Sequence, residues 1–205
     1  MTLSTRIDSE LHNKGMERAL LSLDGLSVGD AFGQRFFTSM PEPMIEAKAW
    51  PQEPWNVTDD TIMSISIVEI LDELQQIDQA QLALRFGRRY VEEPNRGYGG
   101  TAHEILRDLA LGLPWDVVSR GAFDGQGSMG NGGAMRAAPI GAYFAPDLEA
   151  VIENAQRSAE VTHAHPEGQA GAIAVAVAAA EAVTIREEGL DISKGMRLLE
   201  RAIDS

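Results

Sequence analysis

The sequence predicts an all-α protein that forms one compact domain of many helices. Hydrophobic residues make up 44% of the 205 residues, which is enough apolar material for one sizeable core. Apolar residues recur with helical spacing over most of the chain, as they do on the buried face of a helix. The sequence contains no convincing run of alternating β-branched residues, no repeat of fixed period and no low-complexity linker. We therefore expect near-zero strand content and a single helical domain over residues 1–205.

The first predicted helix covers about residues 15–32 and is amphipathic. It contains four leucines, Leu20, Leu21, Leu23 and Leu26. Three glycines, Gly25, Gly29 and Gly33, lie four residues apart on one of its faces. Because glycine weakens a helix, these residues indicate that another backbone or a ligand comes close to that face.

Seven further helices follow in order. The second begins near Thr58 and continues to about Leu74, with an apolar face for much of its length. The third covers 77–93 and is capped by Asp78, and the fourth covers 101–112 and is closed by Gly112. The fifth, at 114–123, opens with Pro114. The last three cover 147–163, 166–188 and 191–203.

Composition excludes several classes of function. Lys and Arg number 17 against 31 Asp and Glu, so the net charge is −14, which argues against a nucleic-acid partner. The absence of cysteine excludes disulfides, zinc–thiolate sites and thiol nucleophiles. The N-terminus lacks the apolar core of a signal peptide, and we expect a cytoplasmic protein. The most apolar run, 170–180, has 11 residues, so we expect a buried helix there and no membrane partner.

Two adjacent carboxylates open the second helix in the motif TDDT at 58–61. One interpretation is a helix cap, because Thr58 is a good N-cap residue and acidic side chains complement the helix dipole. The other is a cation site, because adjacent carboxylates repel each other and a cap needs only one oxygen. Thr58, Asp59 and Asp60 would form a compact set of the hard oxygen ligands that Mg²⁺ and Ca²⁺ prefer.

Two other segments carry candidate binding groups. In GQGSMGNGGAMR, 125–136, five glycines surround Ser128 and Asn131 just before a helix. This segment is either a flexible loop with a cap or an anion cradle whose backbone N–H groups bind phosphate. In VTHAHPEG, His163 and His165 do not share a helix face, which argues against a zinc pair. They serve capping and turn formation before Pro166, or His163 contacts a ligand.

Two weaker signals complete the set. In RGYGGTAHE, 96–104, Tyr98 lies between glycines and either presents a flat ring to a base or sugar or is buried in a turn. In GLSVGDAFGQRF, 25–36, Asp30 on a glycine-rich helix is either a solvated residue or a partner of site residues.

Together and in this order, these segments resemble the ADP-ribosylglycohydrolase family. The resemblance covers about residues 15–183, in GLSVGDAFG, VTDDTIM, RGYGGTAHEIL, GSMGNGGAMRAAPIGAYF and SAEVTHAHPEGQAGAIA. It implies an all-α fold built around two Mg²⁺ ions. It also implies hydrolysis of an N- or O-glycosidic bond at C1″ of ADP-ribose, in an ADP-ribosylated protein or a small conjugate.

The resemblance also implies roles for individual residues. Thr58, Asp59 and Asp60 are then metal ligands, and His163 contacts the ligand. The residues implied to hold the diphosphate are Gly127, Ser128, Gly130 and Asn131. Those implied to form the wall around ADP-ribose are Gly97, Tyr98 and Gly99.

Two departures from the family pattern raise alternatives. Where many members have a glutamate that activates water, this chain has Phe37, so Asp60 becomes the predicted catalytic carboxylate and Asp30 a second choice. The family's second set of metal ligands is not found, since the aspartates after Val161 are Asp191 and Asp204 alone and neither lies in such a motif. We therefore expect a C-terminally truncated domain, about two thirds of a typical member.

Three hypotheses follow from these observations. The chain is a Mg²⁺-dependent ADP-ribosyl hydrolase, a non-catalytic ADP-ribose binder, or a structural helical fragment. The truncated core would be exposed in the last case and would favour self-association.

Overall fold

A computed structural model describes residues 3–37 and 42–189 of the chain. These residues form helices joined by loops and turns, without any strand. The helices are α1 (Leu3–Gly33), a 3₁₀ turn (Gln34–Phe36), α2 (Glu42–Glu46), α3 (Asp59–Leu74), α4 (Gln79–Glu92), α5 (Gly100–Ala110), α6 (Trp115–Gly125), α7 (Ala138–Phe144), α8 (Leu148–Glu160) and α9 (Pro166–Glu187). The predicted all-α class is therefore confirmed.

Most predicted helices are found close to their expected ends. Thr58 is the N-cap of α3, and the Asp78 side chain accepts a hydrogen bond from the Gln81 backbone N–H at the start of α4. Helix α1 begins earlier than predicted, because a polar first segment continues the helix without apolar periodicity. Helices α2 and α7 were not predicted, since five and seven residues are too few to show a helical period. The helix predicted at 191–203 lies outside the described residues.

Helix α3 lies at the centre of the main core. Its side chains Ile67, Ile70 and Leu71 are fully buried, and the helix packs against α1, α4 and α7. Burial of side chains of this size contributes roughly 1.5–3 kcal/mol each. The first turn of α3 is therefore fixed in position by the packing of the rest of the helix.

A second core, rich in alanine, joins α7, α8 and α9. Its small side chains, such as Ala155, Ala172 and Ala176, allow the helices to approach closely. Gly141 of α7 lies at the tightest point, because a Cβ built there would be 1.8 Å from the carbonyl oxygen of Ala176. This packing holds the connection between α8 and α9, which carries His163, the histidine predicted to contact a ligand.

The glycine face of α1 is open. A Cβ built at Gly25, Gly29 or Gly33 meets no atom of the described residues within 4 Å. The prediction that a backbone approaches this face is therefore wrong for the part of the chain described, and the ligand alternative stays a prediction. Large apolar side chains of α1, Leu20, Leu21 and Val28, are also exposed. Self-association through them stays a prediction.

Helix α9 is long and apolar. Among the described residues it is the one helix long and apolar enough to cross a bilayer by length and composition. Buried core helices pass the same test, and α9 packs against α7 and α8. We therefore interpret it as a core helix.

Candidate active site

The first turn of α3 is held in place by Asp30 of α1. The Asp30 carboxylate accepts hydrogen bonds from the Thr58 N–H at 2.7 Å and the Thr58 hydroxyl at 2.6 Å. It also accepts from the Thr61 hydroxyl at 2.6 Å and the Thr61 N–H at 3.3 Å. Thr58 caps α3 as predicted, through a long bond of 3.4 Å from the Asp60 N–H. Asp30 therefore orients the turn that presents Asp59 and Asp60.

The two carboxylates of this turn lack a basic partner among the described residues. Burial and the negative charges of Asp60 and Asp30 raise the pKa of Asp59 to about 6. Burial and Asp30 also raise the pKa of Asp60. Both shifts have the sign expected where negative charge accumulates without compensation, and a bound cation would reverse them.

A pocket with a volume of about 210 Å³ lies beside this turn. Six of the residues predicted from the sequence line it: Asp59, Gly99, Ser128, Gly130, Asn131 and His163. These residues come from four separate segments of the chain, and the fold brings them around one space. Thr58, Asp60, Gly97 and Gly127 lie next to lining residues but do not line the pocket themselves.

The N-terminus of α5 forms one wall of the pocket. Gly99 is its N-cap and supplies no side-chain hydrogen bond to the helix. The next residues, Gly100, Thr101 and Ala102, line the pocket, and their N–H groups have no partner within the helix. An uncapped helix start attracts an anion through these N–H groups and the helix dipole.

The glycine loop also lines the pocket and is packed against the α8–α9 connection. Gly127 has φ of +77°, and a Cβ built on it would lie 2.6 Å from the His165 nitrogen, so only glycine fits there. Ser128 is buried, and its hydroxyl accepts a hydrogen bond from the Gly130 N–H at 3.2 Å. The loop leads through a turn to α7, which begins at Ala138. The backbone of this loop therefore faces the pocket in a fixed conformation.

The two histidines of the α8–α9 connection differ in role. His165 is the N-cap of α9, and its Nδ1 accepts from the Glu167 N–H at 3.1 Å, so it forms a cap. His163 lines the pocket, is only 8% exposed, and has its Nδ1 2.7 Å from the Thr162 hydroxyl. Burial and the nearby Arg136 charge lower the pKa of His163 to about 3, so it is neutral at physiological pH.

Tyr98 is placed differently from the other predicted site residues. Its ring is 7% exposed and packs edge-on against Tyr90 and His103, with ring centroids 5.4 and 5.9 Å away. Burial and the charge of Asp59 raise the pKa of its hydroxyl to about 12. The ring belongs to the core and not to the pocket wall. Of the three residues predicted for the ADP-ribose wall, Gly99 lines the pocket, and Gly97 lies against Thr58 and Asp59.

Sequence reasoning missed Arg136, which lines the pocket and has no exposed surface. Its guanidinium donates to the carbonyl oxygens of Gly132 at 2.8 Å and Ser158 at 2.7 Å. It also lies 4.7 Å from the centroid of the Phe86 ring. No described carboxylate pairs with it, and burial lowers its pKa to about 9. An arginine inside the apolar segment GGAMRAAPIG was the signal that could have indicated a buried charge.

The donors of the α3 turn suit a hard cation in part. They are two carboxylates and one hydroxyl, and all three are oxygen ligands. Within 3–37 and 42–189 no group of three or more His, Asp or Glu side chains is arranged to hold a metal ion. A complete coordination shell would therefore need ligands besides those that these residues supply.

A model of the ADP-ribosylglycohydrolase family matches residues 11–205. The ADP-ribosylhydrolase ARH3 of Gallus gallus is 41% identical over 129 residues, which cover 62% of this chain and 35% of that protein. That of Homo sapiens is 38% identical over 123 residues, covering 59% of this chain and 34% of that protein. An uncharacterized protein of Archaeoglobus fulgidus is 32% identical over 173 residues, covering 76% and 52%.

The matched region is thus about a third of the length of the chicken and human proteins. The family model, in contrast, extends over nearly all of this chain. By that match, the chain belongs to the ADP-ribosylglycohydrolase family.

Proposed function

We propose that this chain carries part of a Mg²⁺-dependent active site that hydrolyses the glycosidic bond at C1″ of ADP-ribose. The substrate would be an ADP-ribosylated protein or a small ADP-ribosyl conjugate. One observation carries the proposal: Asp59, the uncapped start of α5, the glycine loop and His163 surround a single pocket. The printed name of the chicken and human relatives, ADP-ribosylhydrolase, supports the same substrate class.

The proposed cation ligands are the Thr58 hydroxyl, Asp59 and Asp60. Asp30 accepts the Thr58 hydroxyl hydrogen, and the Asp60 N–H donates a long bond to the oxygen, so one lone pair of that oxygen remains available for a cation. When bound, Mg²⁺ would orient ribose hydroxyls and water and stabilise the charge that develops as the bond breaks. The raised pKa values of Asp59 and Asp60 support a cation between them, because a cation removes their repulsion.

The diphosphate of ADP-ribose would lie between α5 and the glycine loop. The first N–H groups of α5 and the backbone N–H groups of Ser128 and Asn131 are the proposed donors, while the Gly130 N–H already donates to the Ser128 hydroxyl. Arg136 lines the pocket, and its buried positive charge favours binding of an anion inside it. The pocket would thus take a cation at Asp59 and an anion at the start of α5 and the glycine loop.

Asp60 is the carboxylate that we propose to accept the proton of the attacking water. Water adds to C1″, the bond from C1″ to the leaving nitrogen or oxygen breaks, and the leaving group takes up a proton. Asp30 is less suited to this step because its carboxylate already accepts four hydrogen bonds from Thr58 and Thr61.

The experiment is a hydrolysis assay with ADP-ribosylated protein, following release of ADP-ribose with Mg²⁺ and with EDTA. We expect activity to need Mg²⁺ and to be lost in Asp60→Asn. Asp78→Asn is the matched control, because Asp78 also lies at a helix start but caps α4 on another part of the surface. Full activity in EDTA would refute the metal role.

A second candidate function is ADP-ribose binding without catalysis. The observation that favours it is Phe37, which stands where the family resemblance places a glutamate and is 86% exposed at the end of the 3₁₀ turn. Calorimetry with ADP-ribose, together with the hydrolysis assay, separates the two functions. Binding without turnover supports the second, and a gain of turnover in Phe37→Glu would show that the missing carboxylate is the cause.

A further inference from the structure

A chain of hydrogen bonds connects the buried Arg136 to the pocket-lining His163. Arg136 Nη2 carries two hydrogens, and both have acceptors: the Ser158 carbonyl oxygen at 2.7 Å and the Thr162 hydroxyl oxygen at 2.9 Å. The Thr162 hydroxyl oxygen lies in turn 2.7 Å from His163 Nδ1. Arg136 and Thr162 are 0% and 4% exposed, so water does not compete for these bonds.

The direction of the second bond follows from the first. Because an arginine can only donate, the Thr162 oxygen must accept from Arg136. Its own hydrogen then needs an acceptor, and among the residues that the structure describes His163 Nδ1 is the one within reach. A nitrogen that accepts carries no proton in the neutral imidazole, so the ring proton lies on Nε2.

The Nε2 edge of the ring lies close to the glycine loop, where both line the pocket. A Cβ built at Gly130 would be 3.7 Å from Nε2, and one built at Gly132 would be 3.1 Å from it. No described residue accepts a hydrogen bond from Nε2, while the residues around it line the pocket. The Nε2–H group is therefore free to donate to a ligand.

We propose that Arg136 and Thr162 are positioning residues that fix His163 as a neutral Nε2–H donor toward an oxygen of the bound ligand. The ligand oxygen is a phosphate or hydroxyl acceptor, and this part of the inference rests on the proposed function. A neutral donor suits a site that also holds a cation, because it binds an oxygen without adding positive charge beside the cation. The Thr162 hydroxyl donates to Nδ1 and so places the ring proton on Nε2, and the bond from Arg136 orients the Thr162 hydroxyl.

The test is ¹⁵N NMR of the histidine side chains in the ligand-free protein at neutral pH. The chain has four histidines, and loss of one spin system in His163→Gln assigns the signal of interest. We expect the Nε2 shift of a protonated nitrogen and the Nδ1 shift of an unprotonated acceptor. A His163 protonated at Nδ1 overturns the proposal. This measurement needs no ligand, so it stays decisive even if ADP-ribose does not bind.

Two variants then test the role of Thr162. Thr162→Val removes the hydroxyl, and we expect a mixture of tautomers and an ADP-ribose affinity about fivefold weaker, as for the loss of one hydrogen bond. Thr162→Ser keeps the hydroxyl and should restore both the tautomer and the affinity. An unchanged tautomer in Thr162→Val overturns the proposal. If Thr162→Val does not fold, the wild-type and Thr162→Ser spectra decide, because both must show the Nε2–H form.

Discussion

Replacement of Gly132 by alanine should damage the ligand site while leaving the fold largely intact. The backbone at Gly132 does not have a positive φ, so alanine can adopt its conformation. A Cβ there, however, would lie 2.8 Å from His163 Cε1 and 3.1 Å from Nε2. An ordinary contact needs at least about 3.4 Å, so the ring or the loop must move by about 0.6 Å.

The ring has little freedom to make that movement. The Thr162 hydroxyl holds its Nδ1 at 2.7 Å, and Gly168 lies so close that a Cβ there would be 3.2 Å from the His163 Cβ. Displacing the ring should break its bond to Thr162 and move Nε2 away from a ligand oxygen. Loss of one hydrogen bond to the ligand costs about 1 kcal/mol, or roughly fivefold in affinity. The free energy of unfolding should fall by about 1 kcal/mol, the low end for overpacking, because the pocket side is open.

Isothermal titration calorimetry with ADP-ribose and urea unfolding measure the two effects separately. Gly171→Ala is the matched control, because its Cβ would meet only Ala134 at an ordinary 3.8 Å, outside the pocket. We expect the control to keep the wild-type affinity. Wild-type affinity in Gly132→Ala, with unchanged His163 resonances, would refute the inferred contact between this loop and the histidine.

Three other predictions concern stability. The depressed pKa of His163 means that the contribution of this neutral ring to the free energy of unfolding is complete above pH 6.5 and is lost as the pH falls toward 3. Between pH 8 and pH 5, the free energy of unfolding of wild type in urea should therefore fall by about 2 kcal/mol more than that of His163→Gln. Gly141→Ala should lower the free energy of unfolding by about 3 kcal/mol or prevent folding, since its Cβ would overlap the Ala176 carbonyl. Gly25→Ala, on the open face of α1, should raise the free energy of unfolding by about 0.5–1 kcal/mol. Thermal melts compare the two variants. Asp30→Asn should cost about 2 kcal/mol in urea unfolding by weakening the bonds to Thr58 and Thr61, and an unchanged stability would contradict the anchoring role of Asp30.

Local sequence patterns predicted most of the fold because helix signals are short-range. A cap such as Asp78 and an apolar face such as that of α3 depend on residues within one or two turns. The sequence did not predict the short helix α7, because its stability comes from packing against α1 and α9 and not from its own seven residues.

The candidate site was predictable only where its chemistry shows in the sequence. Adjacent aspartates and a glycine-rich loop are unusual enough to indicate a site, and Asp59, Ser128 and His163 do line one pocket. The burial of Arg136 was not predictable, because its partners Ser158 and Thr162 lie 22 and 26 residues away in sequence. The orientation of Tyr98 likewise depends on Tyr90 and His103, which only the folded chain brings to its ring.

The distribution of charge around the pocket links the proposed cation site to the proposed anion site. Asp59 lines the pocket, and Asp60 and Asp30 are close enough to raise its pKa. Arg136 also lines the pocket and has no carboxylate partner among the described residues. A diphosphate entering this space meets the repulsion of the three carboxylates, in a chain whose net charge is −14. A cation at Asp59 and Asp60 removes that repulsion within a Debye length of the phosphates. Because coupling between two ligands is reciprocal, Mg²⁺ should strengthen ADP-ribose binding by the same factor as ADP-ribose strengthens Mg²⁺ binding. Equal affinity for ADP-ribose with and without Mg²⁺ would mean that the two groups do not share this pocket.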